Sequence, residues 1–131
     1  MTRRTLPALG LLLLPLLLGA CSPVTVEGKV ISGNLSVITS VIDGDARLEG
    51  GGIEGASIAA IREGRHLETM TATSDEDGEF KFPLKSDAAL SRPMTYKVTA
   101  EGFLPAQVTL PTPTPNEKLL VVLKPIRGSN E

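Results

Sequence analysis

From Val24 onward, the chain alternates apolar and polar residues in short runs that turn-forming residues separate. Residues 94–100 keep this period of two strictly, which is the pattern of a half-buried strand. The dipeptide Asp77-Gly78 is typical of a turn, and a second alternating run, residues 79–82, follows it. The strand-like segments are residues 24–30, 35–42, 56–61, 67–73, 79–82, 94–100, 106–110 and 119–123. Seven or eight short strands without a sustained helical period predict an all-β sandwich.

Size and composition limit the chain to one domain and exclude some partners. The sequence has 131 residues with a formal net charge of −2, which is ordinary for a single globular unit. Two of the basic residues, Arg3 and Arg4, lie in the N-terminal segment, and no basic block follows them. Binding to nucleic acid depends on such a basic surface, so we expect no nucleic-acid partner.

Residues 1–20 have the three parts of a secretory signal peptide. Arg3 and Arg4 supply a positive start, and residues 6–18 are almost wholly apolar. That run is shorter than the roughly 20 residues that a transmembrane helix needs. We therefore expect residues 1–20 to be removed and the mature chain to begin at Cys21.

The end of this segment, Leu18-Gly19-Ala20-Cys21, resembles the lipobox of bacterial lipoproteins. The resemblance implies that Cys21, the single cysteine, is acylated with chains such as palmitate and anchors the protein to a membrane. Two or more acyl chains give stable anchoring, whereas one alone is marginal. Because Ser22 and not Asp follows Cys21, the resemblance implies the outer membrane in a cell with two membranes. In a cell with one, it implies the extracytoplasmic face of the cell membrane.

Five segments after Cys21 resemble the carboxypeptidase regulatory-like domain, a transthyretin-like (prealbumin-like) Greek-key sandwich. These segments are residues 26–30, 53–58, 73–80, 96–103 and 119–123, in the order of the family. The resemblance implies that residues 21–125 form this domain and that residues 126–131 are a tail. It also implies structural roles for Gly55, Gly78 and Gly102, so it predicts a fold more than an activity.

Residues 34–51 depart from that family, which joins its first two strands by a short loop. A long connection in a compact domain is usually functional or mobile. We expect this insertion to be either a binding segment or an extra edge strand with a flexible glycine tip. Its charged residues form the candidate binding segment, which comprises Asp43, Asp45, Arg47 and Glu49.

The sequence offers no set of residues for catalysis or metal binding. His66 is the only histidine, whereas zinc requires several nitrogen or sulfur ligands. Two acidic groups, residues 75–79 and the trio Asp43, Asp45 and Glu49, could supply oxygens to calcium. Neither has the spacing of a helical calcium loop, and solvated turns account for both. We expect no enzymatic activity, no cofactor and no metal.

Three alternatives remain at this stage. Residues 126–129, Ile-Arg-Gly-Ser, resemble the Tyr-Arg-Gly-Ser ending of transthyretin-related hydroxyisourate hydrolases, with isoleucine replacing tyrosine. An internal cross-link between Lys29 and Asn116, as in adhesins, is a second option. The third is a carbohydrate-binding domain, although the chain has no tryptophan for sugar stacking. The sequence favours a monomeric, non-catalytic binding or structural module whose partner is an envelope protein or a glycan.

Overall fold

The computed structural model describes residues 25–62, 68–83 and 93–126. These contain eight strands: β1 (Thr25–Ser32), β2 (Val37–Ile42), β3 (Ser57–Arg62), β4 (Glu68–Thr73), β5 (Glu79–Pro83), β6 (Met94–Thr99), β7 (Ala106–Leu110) and β8 (Glu117–Leu123). A short 3-10 helix, Ala46–Leu48, follows β2. No helix within the described residues is long and apolar enough to span a membrane. The signal peptide, the lipobox, Cys21, His66 and residues 127–131 lie outside the described residues.

The strands form two four-stranded sheets. Sheet A has the order β2-β8-β1-β5, and sheet B has the order β4-β3-β6-β7. Neighbouring strands are antiparallel except for β1 and β8, which are parallel with Gly28 opposite Leu119. The first strand of the described chain therefore pairs with the last. The prediction of an all-β chain is confirmed, and the two sheets are compatible with the predicted β-sandwich.

The core lies between the sheets and is built from alternate residues of each strand. In β6, Met94, Tyr96 and Val98 are fully buried, as the period of two predicts. Phe80 and Phe82 of β5 stack in the same core, with their ring centroids 6.4 Å apart. Burying an aliphatic or aromatic side chain of this size contributes about 1.5–3 kcal/mol, so the core stabilises the pairing of the two sheets.

The connection from β4 to β5 is the tight turn that the sequence predicts. One carboxylate oxygen of Asp75 accepts hydrogen bonds from the backbone amides of Asp77 and Glu79, each at 2.9 Å. Gly78 adopts a φ of 80°, a left-handed conformation that favours glycine. The acidic side chain of Asp75 therefore has a structural role in this turn.

Hydrogen bonds of a buried serine link the segment before β3 to the residue that follows β4. Ser74 is 3% exposed; its hydroxyl donates to the carbonyl of Ile53 at 2.6 Å and accepts from the amide of Ala56 at 2.9 Å. The backbone amide of Ser74 also donates to the carbonyl of Ala56. All of these polar groups are satisfied within the protein, so Ser74 is a structural residue.

Candidate functional site

The insertion begins with an edge strand that is fixed at both ends. Strand β2 pairs with β8 in antiparallel fashion. The Ser36 hydroxyl donates to the Leu104 carbonyl at 2.8 Å and accepts from the Lys124 amide at 3.0 Å. At the other end of β2, the amide of Asp43 donates to the carbonyl of Asn116 at 2.9 Å. Of the two expectations for residues 34–51, the structure has the extra edge strand; whether the insertion also binds a partner stays a prediction.

The free edge of β2 lacks the features that usually protect an edge strand. Its sequence, Val-Ile-Thr-Ser-Val-Ile, contains no charged residue and no proline. The amide of Asp43 donates to the carbonyl of Asn116, which faces Asp43 in the register of β2 and β8. Because the direction of the backbone groups alternates along a strand, the odd-numbered residues of β2 direct their N–H and C=O groups towards β8. Those of Ile38 and Ser40 therefore point away from β8; Ser40 is exposed, whereas Ile38 is buried. No strand among the described residues pairs with this edge.

After β2, the insertion turns back over the outer face of sheet A. The four residues of the candidate binding segment lie here and are largely engaged locally. Asp45 forms an ion pair with Arg47 at 2.9 Å, and Asp43 forms one with Lys118 at 3.2 Å. Hydrogen bonds from the Arg47 guanidinium and backbone amide lower the pKa of Asp45 from 3.8 to about 2. Glu49 is exposed, and its backbone amide donates to Ala46.

Residues 43–51 form a covering segment that buries a lysine, which the sequence pattern places on a polar face. Lys29 of β1 is 2% exposed, and its ammonium donates to the carbonyl oxygen of Gly50. Its register partners in sheet A are Leu120 of β8 and Glu79 of β5. Leu120 is also fully buried, yet it does not belong to the core between the sheets. Both faces of the centre of sheet A are therefore covered.

A cleft of about 430 Å³ adjoins the buried lysine. Its lining residues are Glu27, Gly28, Lys29, Leu48, Thr73, Asp75, Glu79, Phe80, Lys81 and Lys118. Lys118 lies 3.4 Å from a carboxylate oxygen of Glu27, and the hydrogen bonds from Lys118 to Asp43 and to Glu27 raise the pKa of Lys118. The lining thus brings three ammonium groups and three carboxylates together. Such a mixed surface suits a small polar ligand.

The acidic groups of the sequence do not converge on a metal position. Among the described residues, no group of three or more histidine, cysteine, aspartate or glutamate side chains could hold a metal ion. Asp75 uses its carboxylate in the β4–β5 turn, and Asp45 pairs with Arg47. The cleft beside Lys29 was not predicted from the sequence. The available signal was the glycine run at residues 50–52, which allows a close approach of backbone to β1.

The register of sheet A also separates the residues of the adhesin-type alternative. Lys29 pairs with Leu120, and Asn116 lies four residues earlier in the chain, roughly 13 Å along a strand. The structure therefore does not bring Lys29 and Asn116 together for a cross-link. Tyr96 is fully buried, so it cannot stack on a sugar. Comparison of the chain with models of known protein families gave no match, and comparison with curated proteins gave none.

Proposed function

We propose that this chain is a lipid-anchored protein of the cell envelope whose single β-sandwich is a non-catalytic binding module. The free edge of β2 accepts an extended segment of another envelope protein, which adds a strand to sheet A. The observation that carries this proposal is the edge of β2, with its uncharged sequence and the outward backbone groups of the exposed Ser40. Strand addition obtains affinity from main-chain hydrogen bonds and specificity from alternate side chains.

Exposed apolar side chains support this edge as a docking surface. Ile42 is 70% exposed and Val37 is 39% exposed, at opposite ends of β2. Large exposed aliphatic groups beside unpaired backbone groups are costly to leave in water and are a hazard for non-specific pairing. A partner strand would cover both kinds of group at once.

The anchor and the fold type are part of the same proposal. The lipobox resemblance at Cys21 supports the anchor, and β1 begins at Thr25, only four residues later. The domain would therefore lie close to the membrane surface. The strand arrangement supports a transthyretin-like sandwich, because seven strands in two sheets remain when the inserted β2 is set aside. Such domains present recognition surfaces on edges and loops.

The test is cross-linking in intact cells, followed by mass spectrometry of the captured proteins. The β2 variant carries Ser40→Glu and Ile42→Glu, which place charges on the free edge. The matched control carries Thr69→Glu and Thr71→Glu on β4, an edge of the other sheet with exposed positions. A third variant, Cys21→Ser, tests the anchor by membrane fractionation.

We expect the native chain and the β4 variant to capture the same envelope protein and the β2 variant to lose it. The Cys21→Ser chain should carry no lipid and should be lost from the membrane fraction, in which the native chain is found. Equal capture by the β2 variant would show that the contact lies elsewhere. A native chain that captures no envelope protein would refute the binding role, and unchanged lipidation in Cys21→Ser would refute the anchor.

A further inference from the structure

The ammonium of the buried Lys29 forms no ion pair within 4.0 Å with a carboxylate of the described residues. Lys29 is 2% exposed, and the ion pairs between described residues join Arg47 to Asp45 and Lys118 to Glu27 and Asp43, but none includes Lys29. An ammonium group has three N–H donors, and the Gly50 carbonyl is the single acceptor that the described residues provide for it. Burial of a charge without an opposite charge is unfavourable. A bound anion would offset this cost.

The carboxylates around the cleft are mostly committed to other partners. Glu27 faces Lys118, and Asp75 accepts two backbone amides. Glu79, the register partner of Lys29 on β5, forms no ion pair within 4.0 Å with a described residue. Lys29 and Glu79 thus stand as neighbouring groups of opposite charge at one wall of the cleft. This wall fits a ligand with a negative group and little net negative charge.

We propose that the cleft binds a small carboxylate, whose oxygens supply the counter-charge for Lys29. The volume of about 430 Å³ accommodates a small molecule. The three lining ammonium groups and three carboxylates sum to no net charge, and a dianion loses more hydration free energy on burial than a monoanion, so phosphate is the poorer ligand. If the ligand also carries an ammonium group, as an amino acid does, Glu79 is its partner.

The covering segment permits entry of the carboxylate. A β-carbon added at Gly50 or Gly51 would meet nothing within 4 Å, so both residues have open space on that side, whereas Gly52 packs closely against the backbone of β1. Displacement of the Gly50 carbonyl breaks its hydrogen bond to Lys29 and is limited to the residues before Gly52. In the bound form, a ligand oxygen replaces this carbonyl as the acceptor for Lys29, while Leu48 remains at the rim of the cleft. This site is separate from the free edge of β2 and does not depend on the docking of a partner there.

The experiment is a titration of the ¹⁵N-labelled full-length protein, in detergent micelles, followed by the amide signals of Gly50 and Gly51. The probes are sodium acetate, glycine and sodium phosphate, with ionic strength held constant by sodium chloride. The Lys29→Met variant removes the ammonium but retains an apolar stem. The matched control is Lys97→Met, on the exposed outer face of β6.

We expect saturable shifts with acetate in the native chain and in Lys97→Met, and binding at least about ten-fold weaker in Lys29→Met. Tighter binding of glycine than of acetate supports the same site and identifies the ligand as a zwitterion that contacts Glu79. Phosphate should bind more weakly than acetate.

A second variant keeps the test valid if Lys29→Met does not fold. Glu79→Gln changes an exposed side chain, and removal of its charge should tighten acetate binding by about two- to five-fold. The proposal is overturned by any of four results: no saturable shift at acetate concentrations up to about 100 mM, equal affinity in a folded Lys29→Met, phosphate binding tighter than acetate, or unchanged acetate affinity in Glu79→Gln.

Discussion

Gly28→Ala should destabilise the protein because the two neighbouring strands of sheet A, β5 and β8, approach this residue closely. Gly28 lies in β1 opposite Phe80 of β5 and Leu119 of β8. A β-carbon at this position would lie 2.6 Å from the carbonyl oxygen of Leu119 and 2.8 Å from Cε1 of Phe80. The phenyl ring can move aside, but the Leu119 carbonyl belongs to the backbone of the neighbouring parallel strand. Accommodating alanine therefore requires β1 and β8 to separate locally.

The expected loss follows from two opposing effects. Overpacking of this kind costs about 1–3 kcal/mol, and contact with a backbone atom favours the upper half of that range. Alanine also restricts the unfolded chain, which returns about 0.4–1 kcal/mol. The net loss in the free energy of unfolding is about 1–2.5 kcal/mol, which lowers Tm by roughly 5–20 °C for a domain of this size. The matched control is Gly44→Ala, because a β-carbon there would meet nothing within 4 Å.

Urea unfolding followed by far-ultraviolet circular dichroism measures both variants. The chain has no tryptophan, so the fluorescence of its single tyrosine, Tyr96, gives a second probe from inside the core. We expect Gly44→Ala to stay within about 0.5 kcal/mol of the native chain. If Gly28→Ala were as stable as Gly44→Ala, the close approach of β1, β5 and β8 at Gly28 would be wrong.

Further predictions concern two polar side chains in the interior, Tyr96 and Ser74. Among the described residues, the hydroxyl of the fully buried Tyr96 has the sulfur of Met94 as its one partner, at 3.8 Å, so Tyr96→Phe should change the free energy of unfolding by less than about 1 kcal/mol. Burial raises the pKa of Tyr96 to about 12 from 10, so its contribution is complete below pH 10 and is lost between pH 10 and 12. At pH 11 the native chain should lose about 1.4 kcal/mol relative to Tyr96→Phe, as measured by urea unfolding at pH 9 and pH 11; a difference independent of pH would contradict this. Ser74→Ala leaves a partly buried carbonyl and a buried amide without the hydroxyl and should cost about 1–3 kcal/mol in the same assay, whereas the exposed Ser57→Ala should cost less than about 0.5 kcal/mol. Equal losses in the two serine variants would refute the role of Ser74.

The strands could be predicted because their signals are local. Alternation in residues 94–100 and turn chemistry at Asp77-Gly78 depend only on neighbouring residues, and the structure has β6 and the β4–β5 turn at these places. The uninterrupted apolar run at residues 119–123 predicts a heavily buried strand. The structure explains it, because β8 lies inside sheet A and Leu120 is covered on the outer face.

The cleft could not be predicted because it depends on register and on a segment without periodicity. Alternation places Lys29 on a polar face, which by itself predicts exposure to solvent. Its burial requires the insertion to fold back so that Gly50 reaches the ammonium. The proximity of Lys29 and Glu79 follows from the pairing of β1 with β5, which are distant in sequence. Similarly, the pairing of Asp45 with Arg47 depends on the 3-10 helix that Asp45 begins.

The parallel pairing of β1 with β8 determines when sheet A can form during synthesis of the chain. Sheet A has β1 and β8 at its centre. Two of its three strand pairs, β2 with β8 and β8 with β1, cannot form before Glu117–Leu123 has been synthesised. Contacts of such large sequence separation slow folding, because the loop between them must close first. A nascent chain that lacks Glu117–Leu123 leaves β2 without a partner strand and β1 paired with β5 alone. Sheet A is therefore completed after β8 has been synthesised.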